Sequence, residues 1–463
     1  MTAIRNEPTD LESRIARWVV GLSLADIPKP ALAVARACIT DGLGVMLAGS
    51  TTAVFAQSAM LPRLAGECCL ADGSARVDAR SAAQSNGAAG HALDFDDTCY
   101  AGIVHGTAAV LPAVLAAAQE ADADGARLLE AFVAGVETEY ALGLALTDSL
   151  YERGFWATAT LGVIGAAAGA AKLLGLDARA TANAIRLAAN QPMGLRVTHG
   201  ANAKPYLCGV AARTGVEAAY AARAGIAGQP GTFERPRGYA GALNGGVLDT
   251  RAIEMLGSRY ALVDPGVAFK LRPMCSAMQA AVEAVIALRA EHDWTAAQVE
   301  SVTCHGTPLV VASLPYRYPS QPSEAQFCMP FSIACTLLHG DVRIEHLNDA
   351  TLADPILQRL MQRVQLLEDQ ALAPPGQACA CPEAARVEIR LADGRCLSHT
   401  VLAAEGMPQR PASEHTMHEK FMACALYALA PEQARALWDF LQRLEHQPGV
   451  RRLLTRTPSA RST

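Results

Sequence analysis

The sequence predicts a mainly α fold, with a large all-helical domain and a smaller α+β domain containing an antiparallel sheet. Three observations carry this expectation. The 463 residues exceed the size at which single cores stop growing, so two domains are the default. Hydrophobic residues make up 51% and aromatic residues only 5%, a composition suited to closely packed helices with small side chains at their contacts. After Gly257 the apolar spacing changes from helical to alternating and β-branched runs.

Taken in order, Leu11 to Gly21 is amphipathic, and Pro30 to Gly49 has apolar positions at helical spacing and ends in Gly-Ser. Gly106 to Asp122 is nearly all Ala, Val and Leu, and Ala126 to Ala145, Thr158 to Leu174, Asp177 to Asn190 and Gly209 to Ala224 continue the helical pattern. Beyond Gly257, Tyr260 to Arg272, Ala297 to Gly306 and Ala385 to Val401 read as strands, the last broken by the hairpin signal Asp393-Gly394. Ser276 to His292, Ser323 to His339 and Leu352 to Arg363 read as helices between them. Ser413 to Gln447 returns to helix. The expected division is a helical domain over 1–265, an α+β domain over 266–405, and C-terminal helices over 406–463 that pack back on the first domain.

Composition narrows the function classes. A net charge of -6 and a pI near 6.0 offer no basic surface for nucleic acid. The one basic cluster, Arg451, Arg452, Arg456 and Arg461, reads as a disordered tail. Thirteen cysteines are scattered through apolar segments such as those of Cys38, Cys208, Cys335 and Cys424. With a polar, acidic N-terminus in place of a secretory leader, buried thiols in a reducing cytoplasm are expected. The close pairs Cys68-Cys69 and Cys379-Ala-Cys381 lack zinc or iron–sulfur spacing, so no metal centre is expected. Thr158 to Leu174 comes nearest to a membrane span, but its Gly and Ala content and Lys172 favour a core helix, and no membrane partner is expected.

The chemistry concentrates in Asn86-Gly-Ala-Ala-Gly-His91-Ala-Leu-Asp94-Phe-Asp96-Asp97-Thr98, followed by His105. Three carboxylates, two imidazoles and a hydroxyl are costly to bury unless they pair or face a cleft, so the block reads as an active-site segment. The alternative is a solvated acidic loop in which Asp97 or Thr98 caps a helix. Three further polar loops stand before helices: Tyr151-Glu-Arg153-Gly-Phe-Trp156, then Arg196 through His199 and Asn202 to Lys204-Pro-Tyr206, then Lys270-Leu-Arg272-Pro-Met-Cys275. Cationic residues at helix N-termini suit an anion with several carboxylates.

The order of these blocks, with Leu111-Pro112-Ala113 and Glu324-Ala325-Gln326-Phe327 between and after them, resembles the MmgE/PrpD family over nearly the whole chain. That family includes 2-methylcitrate dehydratase, cis-aconitate decarboxylase and iminodisuccinate epimerase. The resemblance implies a cofactor-independent enzyme, usually a homodimer, with its site between a large helical and a smaller α+β domain. The substrate would be a small di- or tricarboxylate. At matching positions the resemblance assigns acid–base work to His105, substrate contacts to Asp94 and Thr98, and a carboxylate anchor or proton carrier to Lys204. Asp96 and Asp97 would orient His or Lys and cap the helix. His91, Trp156, Arg196, Lys270, Arg272 and Gln279 complete the expected substrate contacts.

The chain departs from the family's lyases at several points. Trp156 stands where they carry His before the apolar helix, and Gln279 where they carry His after the Pro-Cys-Cys turn, with Met274 in place of the first Cys. Leu207-Cys208 lacks their usual His as well. Trp and Gln cannot titrate near neutral pH, so the proton inventory shifts to His105, Lys204 and Tyr151. Three readings stay open: a lyase of the dehydratase or decarboxylase type, a two-base epimerase using Tyr151 and Lys204 if their pKa values fall, and a non-catalytic polycarboxylate-binding paralogue. Retention of Asp94, Thr98, His105 and Lys204 together argues against the last.

Overall fold

A computed structural model describes residues 10–146, 149–191, 194–373 and 382–454. Cys379, Cys381, Arg456 and Arg461 lie outside the described residues. The first half opens with α1 (Leu11–Gly21), α2 (Lys29–Gly49) and α3 (Ala53–Ala59), then a small hairpin of β1 (Ala65–Cys69) and β2 (Arg76–Val77). It continues through α4 (Ala79–His91), the short β3 (Thr98–Cys99), α5 (Gly106–Ala121), α6 (Gly125–Leu146), the one-turn α7 (Ser149–Glu152), α8 (Ala157–Leu173), α9 (Ala178–Ala189) and α10 (Ala203–Arg223). Side-chain caps open several of these helices: Asp10 accepts from Ser13 N–H, Asp78 from Ser81 N–H and Asp177 from Ala180 N–H. The first half is thus helical as expected, with this small hairpin and the two-residue β3 set among its helices.

The smaller domain holds a four-stranded sheet in the order β6 (Val364–Glu368), β5 (Val299–Gly306), β7 (Ala385–Leu391), β8 (Cys396–Val401). The β5–β7 and β7–β8 pairings are antiparallel and the β5–β6 pairing is parallel, so the sheet is mixed. Asp393-Gly394 turns β7 into β8 as expected, with Gly394 at φ 89°. The expected helix at 323–339 is split into Pro322–Ala325 and Met329–His339, the second restarted by Pro330 in its first turn. That at 352–363 breaks before Pro355.

The strand expected over Tyr260 to Arg272 shrinks to β4 (Val267–Ala268), paired antiparallel with β3. The buried Glu137 carboxylate takes the N–H groups of Ala261 and Leu262, both at 2.9 Å, and Pro265 has none to give, so this stretch has few donors left for a ladder.

Besides a small cluster of Val45, Ala48, Leu93, Phe95 and Cys424, two large apolar clusters result among the described residues. One gathers α1 to α10 together with Phe421, Ala425, Leu441 and Val450 from the C-terminal segment, and the other gathers the sheet with its helices from Ala268 to Met407. The C-terminal helices, Glu414–Ala425 and Pro431–Leu441, therefore return to the first cluster, the former packing on α2. Arg451 is not part of a free tail, because its guanidinium donates to Gln119 O at 3.1 Å and Val450 N–H bonds Ala123 O. Among the described residues α2, rather than the stretch from Thr158, is the helix long and apolar enough to cross a membrane. Most of it is buried inside the protein.

Candidate active site

The acidic block forms neither a solvated loop nor a helix cap. Helix α4 ends on His91, the chain turns back at Asp94, and Thr98 enters β3, while His105 stands immediately before α5. Helix α10 begins at Ala203, earlier than expected, so Lys204 sits in its first turn, beside the end of α4. Lys270 follows β4, and the β3–β4 pairing holds it next to the same turn.

Lys204 Nζ lies 2.5 Å from Asp94 Oδ1 and 2.6 Å from His91 Nε2. Lys270 Nζ donates to Asp94 O at 2.8 Å and to Asp94 Oδ2 at 3.1 Å. Because His91 Nε2 receives the ammonium, its proton is assigned to Nδ1, which meets both oxygens of Asp96 at 2.9 Å. His105 Nδ1 lies 2.8 Å from the Asp97 carbonyl, a partner that can only accept, so Nδ1 carries the proton and Nε2 the lone pair. Thr98 Oγ1 and Asp96 Oδ2 also approach His105 Nδ1, at 3.3 Å and 3.4 Å.

Burial and pairing set the charges. Burial alone would raise the Asp94 carboxyl, but Lys204 and Lys270 hold it well below the usual carboxylate range, and His91 and Lys270 depress Asp96 in the same way. Burial opposes the Lys270 charge, yet Asp94 and Asp96 raise its pKa overall. Burial and the neighbouring ammonium groups push both His91 and His105 down, His105 far down, so both rings are neutral at ordinary pH. Asp97 is different. Burial lifts it to about 7, and its carboxyl takes the Thr107 hydroxyl rather than orienting His or Lys or capping the helix.

These groups open on a narrow cleft of about 30 Å³ between the two apolar clusters. Its walls include Asp94, Thr98, His105, Tyr151, Trp156 and Lys204 from the first half, and Cys275, Ser276, Phe327 and Glu383 from the second. Trp156 packs on His91 with ring centres 5.3 Å apart and takes the Lys204 ammonium over its face at 5.1 Å. Burial pushes the Tyr151 phenol up despite the Arg196 guanidinium 3.8 Å from its ring centre.

His91 and Lys270 are not on the cleft wall, although each is bonded to a residue that is, Lys204 and Asp94 respectively, and three further expected contacts are not brought to it. Arg196 stacks behind Tyr151 and donates to Ala312 O at 3.0 Å. Arg272 pairs with Asp341 at 2.5 Å. The buried Gln279 amide donates to the Arg272 and Met274 carbonyls, and Cys275 rather than Gln279 reaches the cleft wall. His199, whose imidazole burial and Lys204 push down to about 3, is a wall residue beyond the expected set, and so are Ser276 and Glu383. Cys275 and His199 stand within motifs already singled out. Glu383 stands alone before a hairpin, with no local pattern to mark it.

Among the described residues two groups have metal-ligating atoms within 4.8 Å of one another: His91, Asp96 and His105 in the site, and Cys335, His339 and His346 in the smaller domain. In the first, both Nδ1 atoms are already turned to Asp96 and the Asp97 carbonyl, and Lys270 Nζ lies 4.0 Å from Asp96. In the second, His346 Nδ1 accepts the Arg343 N–H at 3.1 Å. With two ammonium groups at hand, the first site is arranged for an anion rather than a cation.

The chain is 24% identical over 442 residues to cis-aconitate decarboxylase of Homo sapiens, covering 93% of this chain and 91% of that protein. It is 26% identical over 446 residues to cis-aconitate decarboxylase of Mus musculus, covering 93% and 90%. For cis-aconitate decarboxylase of Aspergillus terreus the figures are 25% over 447 residues, 90% of each chain. The MmgE/PrpD N-terminal domain matches residues 13–250 and the MmgE/PrpD C-terminal domain residues 273–446. This chain therefore belongs to the MmgE/PrpD family.

Proposed function

We propose that this protein is a lyase acting on a small di- or tricarboxylate, and that its reaction is loss of carbon dioxide from a substrate of the cis-aconitate type. The observation that carries the reading is the Lys204 ammonium. It spends two hydrogens on Asp94 and His91 while lining the cleft, so the third is free for a substrate carboxylate. When carbon dioxide departs, its bonding electrons stay on a carbon conjugated to a remaining carboxylate, where a fixed ammonium stabilises them. His105 supports proton handling with a neutral ring whose Nε2 lone pair is unused by the protein's own hydrogen bonds. Similarity to the cis-aconitate decarboxylases favours this substrate class over 2-methylcitrate. The two-base epimerase route requires a lowered Tyr151 pKa, and burial moves it the other way.

Proton NMR in deuterium oxide with cis-aconitate, 2-methylcitrate and iminodisuccinate tests the reading. A new olefin with release of carbon dioxide from cis-aconitate is expected. Solvent exchange without a new product would establish an epimerase, and an inert panel would overturn the lyase reading. His105→Ala should lower turnover about 100-fold or more without unfolding the protein, whereas Thr98→Ala should mainly raise KM. Equal small effects from both would sink the site assignment.

A further inference from the structure

The neutral His105 ring has its proton on Nδ1, donated to the Asp97 carbonyl, and offers only a lone pair at Nε2. Decarboxylation also requires a proton for the carbanion that carbon dioxide leaves behind, so a donor has to stand elsewhere in the cleft. Glu383 is buried in the opposite half of the cleft wall, just before β7. Its Oε1 accepts the Ser276 hydroxyl at 2.8 Å and its Oε2 accepts the Tyr100 phenol at 2.5 Å. Ser276 itself lines the cleft.

We propose that Glu383 and Ser276 form the proton-donating arm of the site, delivering a proton from the smaller domain to the substrate carbon. When Glu383 is protonated, its hydrogen turns to Ser276 Oγ and the serine's own hydrogen is released to point at the substrate. The C–CO2 bond breaks with its electron pair left on the substrate, and that pair takes the Ser276 hydrogen to form a C–H bond. Ser276 is restored by the Glu383 hydrogen, carbon dioxide leaves, and the Glu383 carboxylate recovers its proton from solvent. Atoms and charge balance with no other reactant.

The surroundings suit a carboxyl that keeps its proton near neutrality. Burial lifts Glu383 to about 7 and Asp94 adds to this, while Tyr100, Ser276 and Lys270 restrain it. Cys275 and Tyr151, which also face it, are themselves pushed up by burial and stay uncharged. His105 and Glu383 are moved in opposite senses, which leaves Glu383 rather than His105 holding a proton to donate.

The inference rests on the decarboxylase reading, so the test begins with the wild-type enzyme and cis-aconitate. The expected kcat falls as pH rises through about 7, because the donor loses its proton. Glu383→Gln should lower kcat by about 100-fold and abolish that fall, Glu383→Asp should restore part of both, and Ser276→Ala should reduce kcat with little change in KM. Tyr100→Phe removes a hydrogen bond that restrains the Glu383 pKa and should move the fall to higher pH, a result that does not depend on the Glu383 variants folding. An inert wild type overturns the decarboxylase reading and this inference with it. An active wild type with Glu383→Gln near wild-type kcat, or with the same fall in Tyr100→Phe, overturns the proton-donor assignment alone.

Discussion

Asp94 has φ 46°, the left-handed region that costs an L residue other than glycine on the order of 1 kcal/mol. The conformation is held because both lysines converge on this residue, Lys270 on its carbonyl and carboxylate and Lys204 on the other carboxylate oxygen. Asp94→Asn tolerates the backbone but leaves two buried ammonium groups short of a counter-charge. It should cost about 3–5 kcal/mol of stability, read as a lower urea midpoint, and remove activity. The importance of this residue is legible in the sequence, since a cluster of charged side chains in an Ala-rich chain must pair or face a cleft. The fates of Arg272 and Gln279 are not legible, because Asp341 and the local carbonyls that satisfy them become neighbours only through the tertiary fold. Glu383 is hidden for the same reason: its partner Tyr100 is 283 residues away in sequence.

At the scale of elements, α4 and α10 set the distance between His91 and Lys204. They run antiparallel and touch backbone to backbone at Gly87 and Gly209, where a Cβ on Gly209 would lie 2.0 Å from Gln84 O. Gly209→Ala must push the two helices apart. The expected cost is about 1–3 kcal/mol in stability, together with a loss of kcat/KM of about 100-fold as the 2.6 Å contact of Lys204 with His91 opens. Unchanged kinetics would show that this contact does not govern the site. The long helices are legible in the sequence because their periodicity is local, and α1, α2, α5, α6, α8 and α9 fall close to their expected bounds. The β3–β4 pairing and the parallel β5–β6 pairing are not, because each joins segments far apart in the chain whose own sequences carry no register.

Across the whole molecule, buried carboxyls give stability a definite pH dependence. Burial raises Asp97, Glu137 and Glu383 to about 7. Between their ordinary values and 7 the folded protein binds more protons than the unfolded chain, so stability falls as pH rises. The buried His91, His105 and His199 oppose this below their ordinary value near 6.5, since there the unfolded chain binds their protons. Asp94 and Asp96 lose their contribution only in strong acid, and Lys270 only in strong base. Stability should therefore fall from about pH 6.5 to about 8, measured as urea midpoints, and Glu137→Gln should flatten the decline. A rise over that window would contradict the carboxyl assignments. The cleft also bears on the whole molecule: about 30 Å³ accommodates roughly one or two waters, so a tricarboxylate has to part the two apolar clusters to reach Lys204.

Lys420, on the helix Glu414–Ala425, donates to the carbonyl of Phe95 at 2.9 Å and pairs with Asp41 at 2.7 Å. The backbone beside Asp94 is thus fastened by a side chain that leaves the ribosome more than three hundred residues later. The first domain to begin folding during translation is the last to be completed, because its core also waits for Phe421, Leu441 and Val450. Until that segment emerges, the nascent helices lack both the clamp on the acidic turn and part of their apolar surface. Ribosome-bound fragments that already carry His91, Asp94 and Lys204 are therefore expected to show no activity until these last helices are made.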